Sequence, residues 1–485
     1  MRIQKIGGRE ALRTHHATFL ACLLLAVVVL HPNVHPVFSS STIYIRADGS
    51  IDPLSAPIST TNNITYTLTN NIYDEIVVEK NDIVINGASH TVEGSGTGNG
   101  FTLYSVTNVT LTNINIKNFE YGVYLESSSY NSINRNNISG NDYDGIEVYF
   151  SSDYNNITEN RIEANGWYGV GILYSHNNTI SANDIANNDD GIDAYDASGT
   201  EISKNRITSS GEFGIGLYSS SENAIFLNNF VNNTQHVYSE YSTNRWDEGY
   251  PSGGNYWSNY SGVDSKCGPN QDHPGADGIG DAPYTLDSNN TDRYPLIDAW
   301  TPPSGHDVAV ISAVSYKTVI GQGFSGNITV YSANRGEYAE TFNITIYADT
   351  IPFASKAVHL ESGFTTNITL SWNTTGFAKG NYTMIACAES VLGETNISNN
   401  NFTGGWVRVS IVGDLTGGTP NPYDFVPDGK VQIVDISVVA KFFGQKVPPA
   451  PANCDVSGPM IGVPDGKVQI DDVATVSKHY GQHYP

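Results

Sequence analysis

One short signature recurs five times between residues 100 and 233, and it restricts the fold more than any other feature of this 485-residue chain. Each copy is a glycine among alternating apolar residues, as in Asp144-Gly145-Ile146-Glu147-Val148. The five glycines are spaced by 23, 24, 22 and 23 residues: Gly122, Gly145, Gly169, Gly191 and Gly214. A series of asparagines keeps the same period: Asn136, Asn160, Asn183, Asn205 and Asn228. Two markers that hold one period over five units indicate one supersecondary coil per repeat.

Within each repeat, apolar and polar residues alternate over three to five positions, which is the period of a strand with one buried face. Asn, Ser and Gly interrupt these runs, so no helix of ordinary length fits between them. Short strands with a period of about 23 residues predict a right-handed parallel β-helix, in which each strand pairs with its copy one coil away. We assign residues 42–298 to this domain, including irregular first coils and an aromatic, glycine-rich cap after Asn233.

The N-terminal segment is typical of an exported protein. Four basic residues precede the apolar run from Phe19 to Leu30, which is short for a bilayer span and typical of a signal peptide. We therefore expect residues 1–40 to be a signal and the protein to be secreted or at the cell surface; a retained membrane anchor is the alternative. Sequons such as Asn63 and Asn327 are typical of a glycosylated extracellular chain. The net charge of −25 disfavours binding to nucleic acid.

The segment after the repeats contains three distinctive strings: Gly253-Gly254-Asn255-Tyr256-Trp257, Asp277-Gly278-Ile279-Gly280-Asp281 and Asp292-Arg293-Tyr294-Pro295-Leu296. Together with the repeats, they resemble the NosD-type β-helix family, which is abundant in secreted archaeal proteins. The resemblance implies the β-helix fold, and namesake members of the family are implicated in copper supply to a periplasmic reductase. We expect no copper in this chain, because its histidines are scattered and the sequence has no cluster of Met, His and Cys.

A change of pattern marks a second domain. Residues 299–305 have the composition of a linker, and residues 306–411 contain longer alternating runs such as Asn327-Ile328-Thr329-Val330-Tyr331. About seven strands with regular turns predict an immunoglobulin-like β-sandwich. The strings Asp307-Val308-Ala309-Val310 and Gly393-Glu394-Thr395-Asn396 resemble the CARDB domain, a cell-adhesion-related module. The resemblance implies a spacing or binding role and no chemistry of its own.

The C-terminal residues contain an exact duplication. The string Val426-Pro427-Asp428-Gly429-Lys430-Val431-Gln432-Ile433 recurs unchanged 37 residues later, at residues 463–470. Each copy is followed by an acid and then by an amphipathic helix that closes on glycine. In an EF-type loop, calcium is bound by oxygen atoms at positions 5, 7 and 12 and the turn needs Gly at position 6. This spacing predicts the following calcium ligands, with the lysines contributing carbonyl oxygens: Asp428, Lys430, Asp435, Asp465, Lys467 and Asp472.

The duplicated pair resembles a dockerin domain, which we assign to residues 412–485. The resemblance implies calcium as the cofactor and a cohesin-like protein module as the partner. On this resemblance, Asp414 and Asp455 take the first ligand position. The chain departs from the dockerin pattern, because inserts follow these two acids and the usual Asn or Asp at position 3 is missing. The alternative is a pair of solvated Asp-Gly turns before two helices.

Alignment of the coils on their glycines places acids in two columns: Asp144 with Asp190, and Glu147 with Asp193. The second column alternates with inward apolar positions, so we expect it to point outward, with Gly171 between its two acids. Glu147 and Asp193 would then lie roughly 9.6 Å apart at the backbone, twice the strand spacing. Two tyrosines would flank the resulting groove: Tyr124 and Tyr168.

These columns suggest a catalytic or binding site for sugar. Paired carboxylates about 6.5–9.5 Å apart can invert a glycosidic bond, and such acids can also bind calcium against a uronic acid. The catalytic candidates are therefore the four acids of the two columns, and Tyr124 and Tyr168 are the substrate-binding candidates. The alternative is that the acids are solvated turn residues. A lyase also needs a base, and Arg135, Arg161 and Arg206 lie beside the asparagines, away from the acids.

The sequence thus predicts a mainly β, exported, modular protein: a parallel β-helix, an immunoglobulin-like sandwich and a small α-helical calcium domain. We expect the β-helix to bind or process polysaccharide and the C-terminal domain to dock to a cohesin-like partner with calcium. One alternative is a polysaccharide-degrading enzyme, either a glycoside hydrolase or a lyase. The other is a non-catalytic adhesin or surface-layer scaffold.

Overall fold

The structure, a computed structural model, describes residues 42–484, and the segment predicted to be a signal lies outside them. Each regular coil of the N-terminal region contributes one strand to each of three sheets, whereas the first coil also contains two antiparallel strand pairs. The coil that begins with Tyr121–Glu126 continues through Ser132–Asn134 and Asn137–Ser139 before the chain returns to the first sheet at Ile146–Tyr149. Neighbouring strands are parallel along the regular coils. The predicted parallel β-helix is therefore confirmed.

The three sheets have 10, 9 and 8 strands. The first sheet contains Ile43–Ile45, Ile51–Asp52, Ile76–Val78, Asn99–Tyr104, Tyr121–Glu126, Ile146–Tyr149, Tyr168–Leu173, Asp190–Tyr195, Phe213–Tyr218 and Gln235–Glu240. The second contains Ile58–Thr60, Thr65–Leu68, Ile83–Asn86, Val109–Thr112, Ser132–Asn134, Asn156–Thr158, Thr179–Ser181, Glu201–Ser203 and Ala224–Phe226. The third contains Thr91–Glu93, Asn115–Lys117, Asn137–Ser139, Arg161–Glu163, Asp184–Ala186, Arg206–Thr208, Asn229–Val231 and Tyr256–Trp257.

The register of the first sheet follows the sequence repeat. Ile146 pairs with Val170, which pairs with Ile192, and all three are fully buried in the core of the β-helix. Each side chain packs between its copies in the coils on either side. Burial of one such side chain contributes about 1.5–3 kcal/mol. The expected inward positions of Ile146 and Ile192 are confirmed.

A ladder of asparagines runs through the turns between the second and third sheets. Its members are buried and consist of Asn136, Asn160, Asn183, Asn205, Asn228 and Asn255. Asn160 Nδ2 donates to Asn183 Oδ1 of the next coil at 3.1 Å. It also donates to the carbonyl oxygen of Ile133 in the preceding coil at 2.7 Å. Asn183 Oδ1 also accepts the backbone N–H of Asn160 at 2.9 Å. We call this set the asparagine ladder; it ties successive turns to one another.

An aromatic stack covers the last coil. The ring of Trp257 lies 4.3 Å from that of Phe230 and 4.6 Å from that of Tyr284. The indole N–H of Trp257 donates to Asp292 Oδ2 at 2.9 Å. Two short hairpins complete this segment: Lys266–Cys267 with His273–Pro274, and Tyr284–Thr285 with Thr291–Asp292. Stacked rings and a satisfied indole close the apolar end of the β-helix.

The next region has eight strands in two sheets, compared with the expected number of about seven. One sheet contains Val308–Ser315, Ser325–Asn334 and Thr365–Asn373. The other contains Val319–Gly321, Asn401–Ser410, Gly380–Ala388, Glu340–Ala348 and Ile351–Leu360. The additional strand is the short segment Val319–Gly321, which pairs in parallel with Asn401–Ser410. Residues from both sheets, such as Ile328 and Ile346, share one core.

Two α-helices follow, Ile433–Lys441 and Ile470–Lys478, with short 3-10 turns at Pro422–Asp424 and Ala452–Cys454. Their apolar residues, including Val439 and Val476, form a third core cluster. No helix within residues 42–484 is long and apolar enough to cross a membrane.

Candidate functional site

The predicted acids lie on the outer side of the first sheet, in the expected register. Glu147 pairs with Gly171, which pairs with Asp193, which pairs with Gly216. Asp190 pairs with Tyr168 at the start of the same strands. We call the two columns, Asp144 with Asp190 and Glu147 with Asp193, the acid columns. Glu147 alternates with the core residues Ile146 and Val148, so it lies on the face opposite the core. Asp144 does not alternate with them, but its Oδ2 converges with Glu147 Oε2 over Gly171 and so reaches the same face.

All four acids are buried, so they are not the solvent-exposed turn residues that the alternative hypothesis described. The exposed fractions are 1% for Asp144, 6% for Glu147, 0% for Asp190 and 2% for Asp193. Removal of a carboxylate from water carries a large free-energy cost unless hydrogen bonds or charges compensate it. The sheet face is therefore covered at this point, although the acids do not belong to the apolar core.

Glycines provide the space that the carboxylates occupy. A Cβ atom at Gly171 would lie 2.4 Å from Glu147 Oε2 and 3.2 Å from Asp144 Oδ2. The two carboxylates therefore converge over the same glycine. In the other coil pair, a Cβ atom at Gly216 would lie 3.0 Å from Asp193 Oδ2. Each acid of the second column thus leans over the glycine of the next coil.

The acids of the first column are held by backbone amides. Asp144 Oδ1 accepts the N–H of Tyr168 at 3.0 Å, and Asp190 Oδ1 accepts the N–H of Phe213 at 2.9 Å. Both bonds connect one coil to the next. These hydrogen bonds fix the orientation of both carboxylates. The second carboxylate oxygen of Asp144 then lies in the space above Gly171.

Aromatic side chains flank the acid columns at both ends of the strands. Rings on the N-terminal side include Tyr121 and Trp167, each in contact with Tyr143 at centroid distances of 5.4 and 4.4 Å. Rings on the C-terminal side include Tyr174 and Tyr195, whose centroids are 5.3 Å apart. We call these two groups the aromatic walls: Tyr121, Tyr143, Trp167, Tyr168 and Phe213 on one side, and Tyr149, Tyr174, Tyr195 and Tyr218 on the other. The ring of Tyr168 adjoins the carboxylates, because a Cβ atom at Gly171 would also lie 3.2 Å from Tyr168 Cδ2.

Burial and the charges of the acids raise the pKa values of two neighbouring tyrosines. Burial raises the pKa of Tyr124, and the charges of Glu126 and Glu147 raise it further. Burial likewise raises the pKa of Tyr218, with further contributions from Asp193 and Asp190. Both phenols are therefore neutral hydrogen-bond donors at pH 7. The Tyr124 hydroxyl donates to Glu126 Oε2 at 3.1 Å.

The sequence identified Tyr168 of the aromatic walls and also Tyr124, but it missed most of the walls. Tyr168 pairs with Asp190 and Tyr124 pairs with Glu147, so both lie beside the acid columns. Tyr149, Tyr195 and Tyr218 were missed, although they end strands in one paired column and so follow the coil period. Tyr143 and Trp167 precede the strands, where the alternation of apolar and polar residues gives no signal.

Acids beneath aromatic walls have the chemistry of a sugar site. Aromatic faces pack against the apolar faces of sugar rings, and carboxylates accept hydrogen bonds from hydroxyl groups. A carboxylic acid can donate a proton to a leaving group, and a carboxylate can accept one from an attacking water molecule.

The first C-terminal loop gathers its acids around backbone N–H groups. Asp435 Oδ1 accepts the N–H groups of Leu415 and Thr416 at 2.8 and 2.9 Å, and its Oδ2 accepts that of Gln432 at 2.8 Å. Asp414 Oδ2 accepts the N–H of Gly429 at 3.1 Å. Burial raises the pKa of Asp414 to about 6. Asp414 and Asp435 are both fully buried, so they are not solvated turn residues.

The second loop repeats this pattern. Asp472 Oδ1 accepts from Val456 and Ser457 at 2.6 and 2.8 Å, and Asp455 Oδ2 accepts from Gly466 at 2.8 Å. One contact differs: the buried ammonium group of Lys317, from the sandwich, donates to the carbonyl of Asp455. Burial lowers the pKa of Lys317 to about 8, and the charge of Asp455 opposes this shift. The second loop is therefore fixed to the neighbouring domain.

The donor set of the two loops suits calcium better than copper, because it consists of carboxylate and carbonyl oxygens. Asp428 and Asp465 occupy equivalent places, and each accepts from the backbone two residues later, Lys430 at 2.9 Å and Lys467 at 3.1 Å. Across residues 42–484, no three acidic, histidine or cysteine side chains lie close enough together to hold a metal ion. The carboxylates would therefore have to turn away from N–H groups to share a cation.

Comparison with protein families gives one match. The family described as "Periplasmic copper-binding protein (NosD)" matches residues 39–262, which include the coils and the beginning of the cap. The sandwich and the C-terminal loops lie outside the match. Comparison with curated proteins gives no match.

Three solved structures illustrate the similarity of fold. The periplasmic alginate epimerase AlgG is 15% identical with a TM-score of 0.33, over 36% of this chain and 46% of its own, so less than half of its length is spanned. A CARDB domain from Pyrococcus furiosus, solved in complex with di-metal ions, is 21% identical with a TM-score of 0.20, over 23% and 93% of the two chains. A DFA-IIIase from Arthrobacter chlorophenolicus A6, solved with DFA-III, is 18% identical with a TM-score of 0.25, over 32% and 38%.

Proposed function

We propose that this chain is an exported modular surface protein whose β-helix binds and processes polysaccharide along the acid columns. The observation that carries the proposal is the burial of two carboxylate clusters, Asp144 with Glu147 and Asp190 with Asp193, beneath the aromatic walls. The fold itself does not require acids at these positions. Other coils place Tyr124 or Gly216 in the same column. Costly buried charges that the fold does not need are typical of functional sites.

The negative charge of the acid columns restricts the kind of polysaccharide that can bind there. Four carboxylates on one face of a chain with a net charge of −25 disfavour polymers of uronic acids, unless calcium bridges the charges. Neutral and amino sugars face no such repulsion. The substrate of this proposal is accordingly a neutral or cationic polysaccharide, with the aromatic walls stacking on its rings. Because the acids are at most 6% exposed, the covering rings must move aside before the carboxylates can bind its hydroxyl or amino groups.

The reaction best suited to this arrangement is hydrolysis of a glycosidic bond. Glu147 and Asp193 are two coils apart, roughly 9.6 Å at the backbone, with no side chain on the intervening Gly171. Such a separation leaves room for a water molecule between sugar and base, as inversion requires. One cluster would protonate the leaving oxygen, and the other would take a proton from the attacking water.

The proposal is tested with the full chain on a glycan array, followed by assays for new reducing ends and for unsaturated products. Glu147→Gln and Asp193→Asn are the test variants, and Glu201→Gln, an exposed acid of the second sheet, is the matched control. A hydrolase requires that either test variant reduce turnover by at least about 100-fold while sugar binding persists. A loss of affinity without any wild-type turnover indicates a binding module. Unchanged behaviour of the double variant would overturn the proposal and favour an adhesin or scaffold.

For the C-terminal region, we propose a calcium-binding, dockerin-like module that docks to a cohesin-like partner. The support is the exact duplication of the loop together with the matching hydrogen bonds of Asp435 and Asp472. Calcium would be held by Asp414, Asp428, the Lys430 carbonyl and Asp435 in the first loop, and by Asp455, Asp465, the Lys467 carbonyl and Asp472 in the second. Bound calcium would supply folding free energy to a region with a small core.

Calorimetry of the full chain with and without EDTA tests this second proposal. Calcium should raise the unfolding temperature of the C-terminal transition, and the variants Asp435→Asn and Asp472→Asn should each remove part of that gain. Asp471→Asn is the control, since Asp471 is exposed and lies beside Asp472. A transition insensitive to calcium would contradict the proposal. Calcium-dependent retention on an immobilised cohesin module tests the partner separately.

A further inference from the structure

Three exposed aromatic rings stand at the corner between the first and second sheets. They are Tyr130, Phe150 and Tyr154, with exposed fractions of 62%, 54% and 51%. They belong to two adjacent coils, and the rings of Tyr130 and Tyr154 stack in parallel, 5.0 Å apart with an interplanar angle of 5°. We call this group the aromatic platform. Because exposed apolar rings gain little from burial, the platform calls for an explanation other than core packing.

The backbone at these positions does not favour aromatic residues. All three have positive φ, at 60°, 39° and 58°. Left-handed backbone is strained for bulky residues and is best tolerated by Gly and Asn. Most other coils have a small residue there, because the position of Tyr130 and Tyr154 is filled by Asp82, Asn108, Asn177 and Gly199; Glu222 is the exception. The platform therefore replaces residues that suit the turn with residues that strain it.

An insertion provides the third ring. Gly122 lies six residues before Ser128, and Gly169 lies six before Ser175, but Gly145 lies seven before Ser152. The serines are equivalent, because the backbone N–H of Ser128 donates to Ser152 Oγ and that of Ser152 donates to Ser175 Oγ. One residue is thus added after Tyr149, and Phe150 is the exposed aromatic that the addition presents. Strain retained without a packing gain is typical of functional positions.

The platform continues the sugar-facing surface. The ring of Tyr149, in the aromatic wall, lies 6.1 Å from the ring of Phe150. Three residues of extended strand separate Glu147 from Phe150, which is about 10 Å. A sugar chain that crosses the acid columns along the strand direction would therefore meet the platform beyond the wall.

From this geometry we infer that the aromatic platform is an extended sugar-binding subsite, which holds the part of a polysaccharide chain that projects beyond the acid columns. The inference rests on the proposed function and adds to it a selectivity for long chains. Aromatic faces fit the apolar faces of neutral sugar rings. Nucleic acid would also stack on such rings, but a chain of net charge −25 repels its phosphates.

The test is a double variant, Phe150→Ser with Tyr154→Asn, which introduces residue types that the chain already uses in its left-handed corners. Tyr241→Ser is the matched control, because Tyr241 is also an exposed corner tyrosine with positive φ, three coils beyond Tyr174. Binding is measured by affinity electrophoresis in gels that contain β-glucan, mannan or chitosan, and by calorimetry with oligosaccharides of two to ten units from the same polymers.

We expect the double variant to lose at least tenfold in affinity for the polymer that retards the wild type, and for long oligosaccharides. Disaccharide binding and the unfolding temperature should be unchanged, or the latter raised by the relief of strain. The control should match the wild type. A lower unfolding temperature would identify the rings as structural and overturn the inference, as would unchanged polymer affinity or an equal loss for disaccharides.

The outcomes separate this inference from the proposal on which it rests. If Glu147→Gln with Asp193→Asn removes disaccharide binding while the platform variant leaves polymer binding intact, only the inference fails. If the wild type binds none of the sugars, the proposed function fails and the inference fails with it.

Discussion

The asparagine ladder and the acid columns are both stacks of buried polar side chains with the period of the coil, but they achieve burial by opposite means. In the ladder, each side chain bonds to the same residue type in the next coil, as Asn183 does with Asn205 at 3.0 Å. In the acid columns, Glu147 and Asp193 alternate with glycine. Both arrangements lie in the same β-helix and share its register.

The chemistry of the two groups explains the difference. An amide carries donors and acceptors, so identical residues in a stack satisfy one another. A carboxylate only accepts, so a stack of acids repels itself and needs donors from elsewhere. The structure supplies backbone N–H groups for Asp144 and Asp190, and glycines provide the space that the side chains of Glu147 and Asp193 occupy. A stack of identical amide side chains, such as the asparagine ladder, therefore indicates a structural role. A column in which acids alternate with glycine indicates a functional site.

The largest expected effect tests the division between core and outer face. Ile146 and Glu147 are neighbours that point to opposite sides of the first sheet, and both are buried. Ile146→Asp should cost several kcal/mol, because it places an unpaired charge in the apolar core. Urea unfolding measured by circular dichroism should show loss of the β-helix. If Ile146→Asp were as stable as Glu147→Gln, the core face and the outer face of the sheet would be equivalent, contrary to this division.

The next effect tests the ladder. Asn183→Ala removes the acceptor of the Asn160 backbone N–H and a donor to the Ile157 carbonyl, along with two ladder bonds. Loss of buried partners costs about 1–3 kcal/mol per group left unsatisfied, and we expect a total of roughly 3–5 kcal/mol in chemical unfolding. Asn156→Ala, at an exposed strand position, is the control and should change stability by less than about 0.5 kcal/mol. Equal losses would mean that the ladder is not structural.

A smaller effect tests the space that these glycines provide. Gly171→Ala brings a methyl group to 2.4 Å from Glu147 Oε2, whereas Gly216→Ala brings one to only 3.0 Å from Asp193 Oδ2. We expect Gly171→Ala to cost about 1–3 kcal/mol, as other overpacking substitutions do, and Gly216→Ala to cost less. Both should weaken sugar binding. The reverse order of stabilities in thermal unfolding would contradict the placement of the carboxylates.

The smallest effect is that of Glu147→Gln on stability. The carboxamide fits the same space, removes a charge beside Asp144 and adds a donor, so stability should change by less than about 1 kcal/mol. Asn183→Asp is the informative counterpart, because it puts a charge into the ladder and should be far more damaging in the same unfolding assay. A large loss for Glu147→Gln would assign the acid columns a structural role like that of the ladder.

The spacing of the repeats was sufficient to predict the β-helix, its register and the members of the acid columns. A strand in a parallel β-helix pairs with its own copy one period later, so spacing along the chain translates directly into proximity in space. The pairing of Glu147 with Gly171 and Asp193 is an example. The duplicated loops are a second example. Gln432 and Gln469 occupy equivalent places in the two identical strings, and their backbone N–H groups donate to Asp435 and Asp472 respectively.

The depth at which the acids are buried, and the residues that surround them, could not be predicted from the repeat. Tyr143 and Trp167 lie in segments outside the alternating strands, and their rings meet through a contact between coils. Lys317 reaches Asp455 across 138 residues of chain from a different domain. Contacts of this kind depend on side-chain volume and on packing between distant segments, and no local period or spacing encodes them.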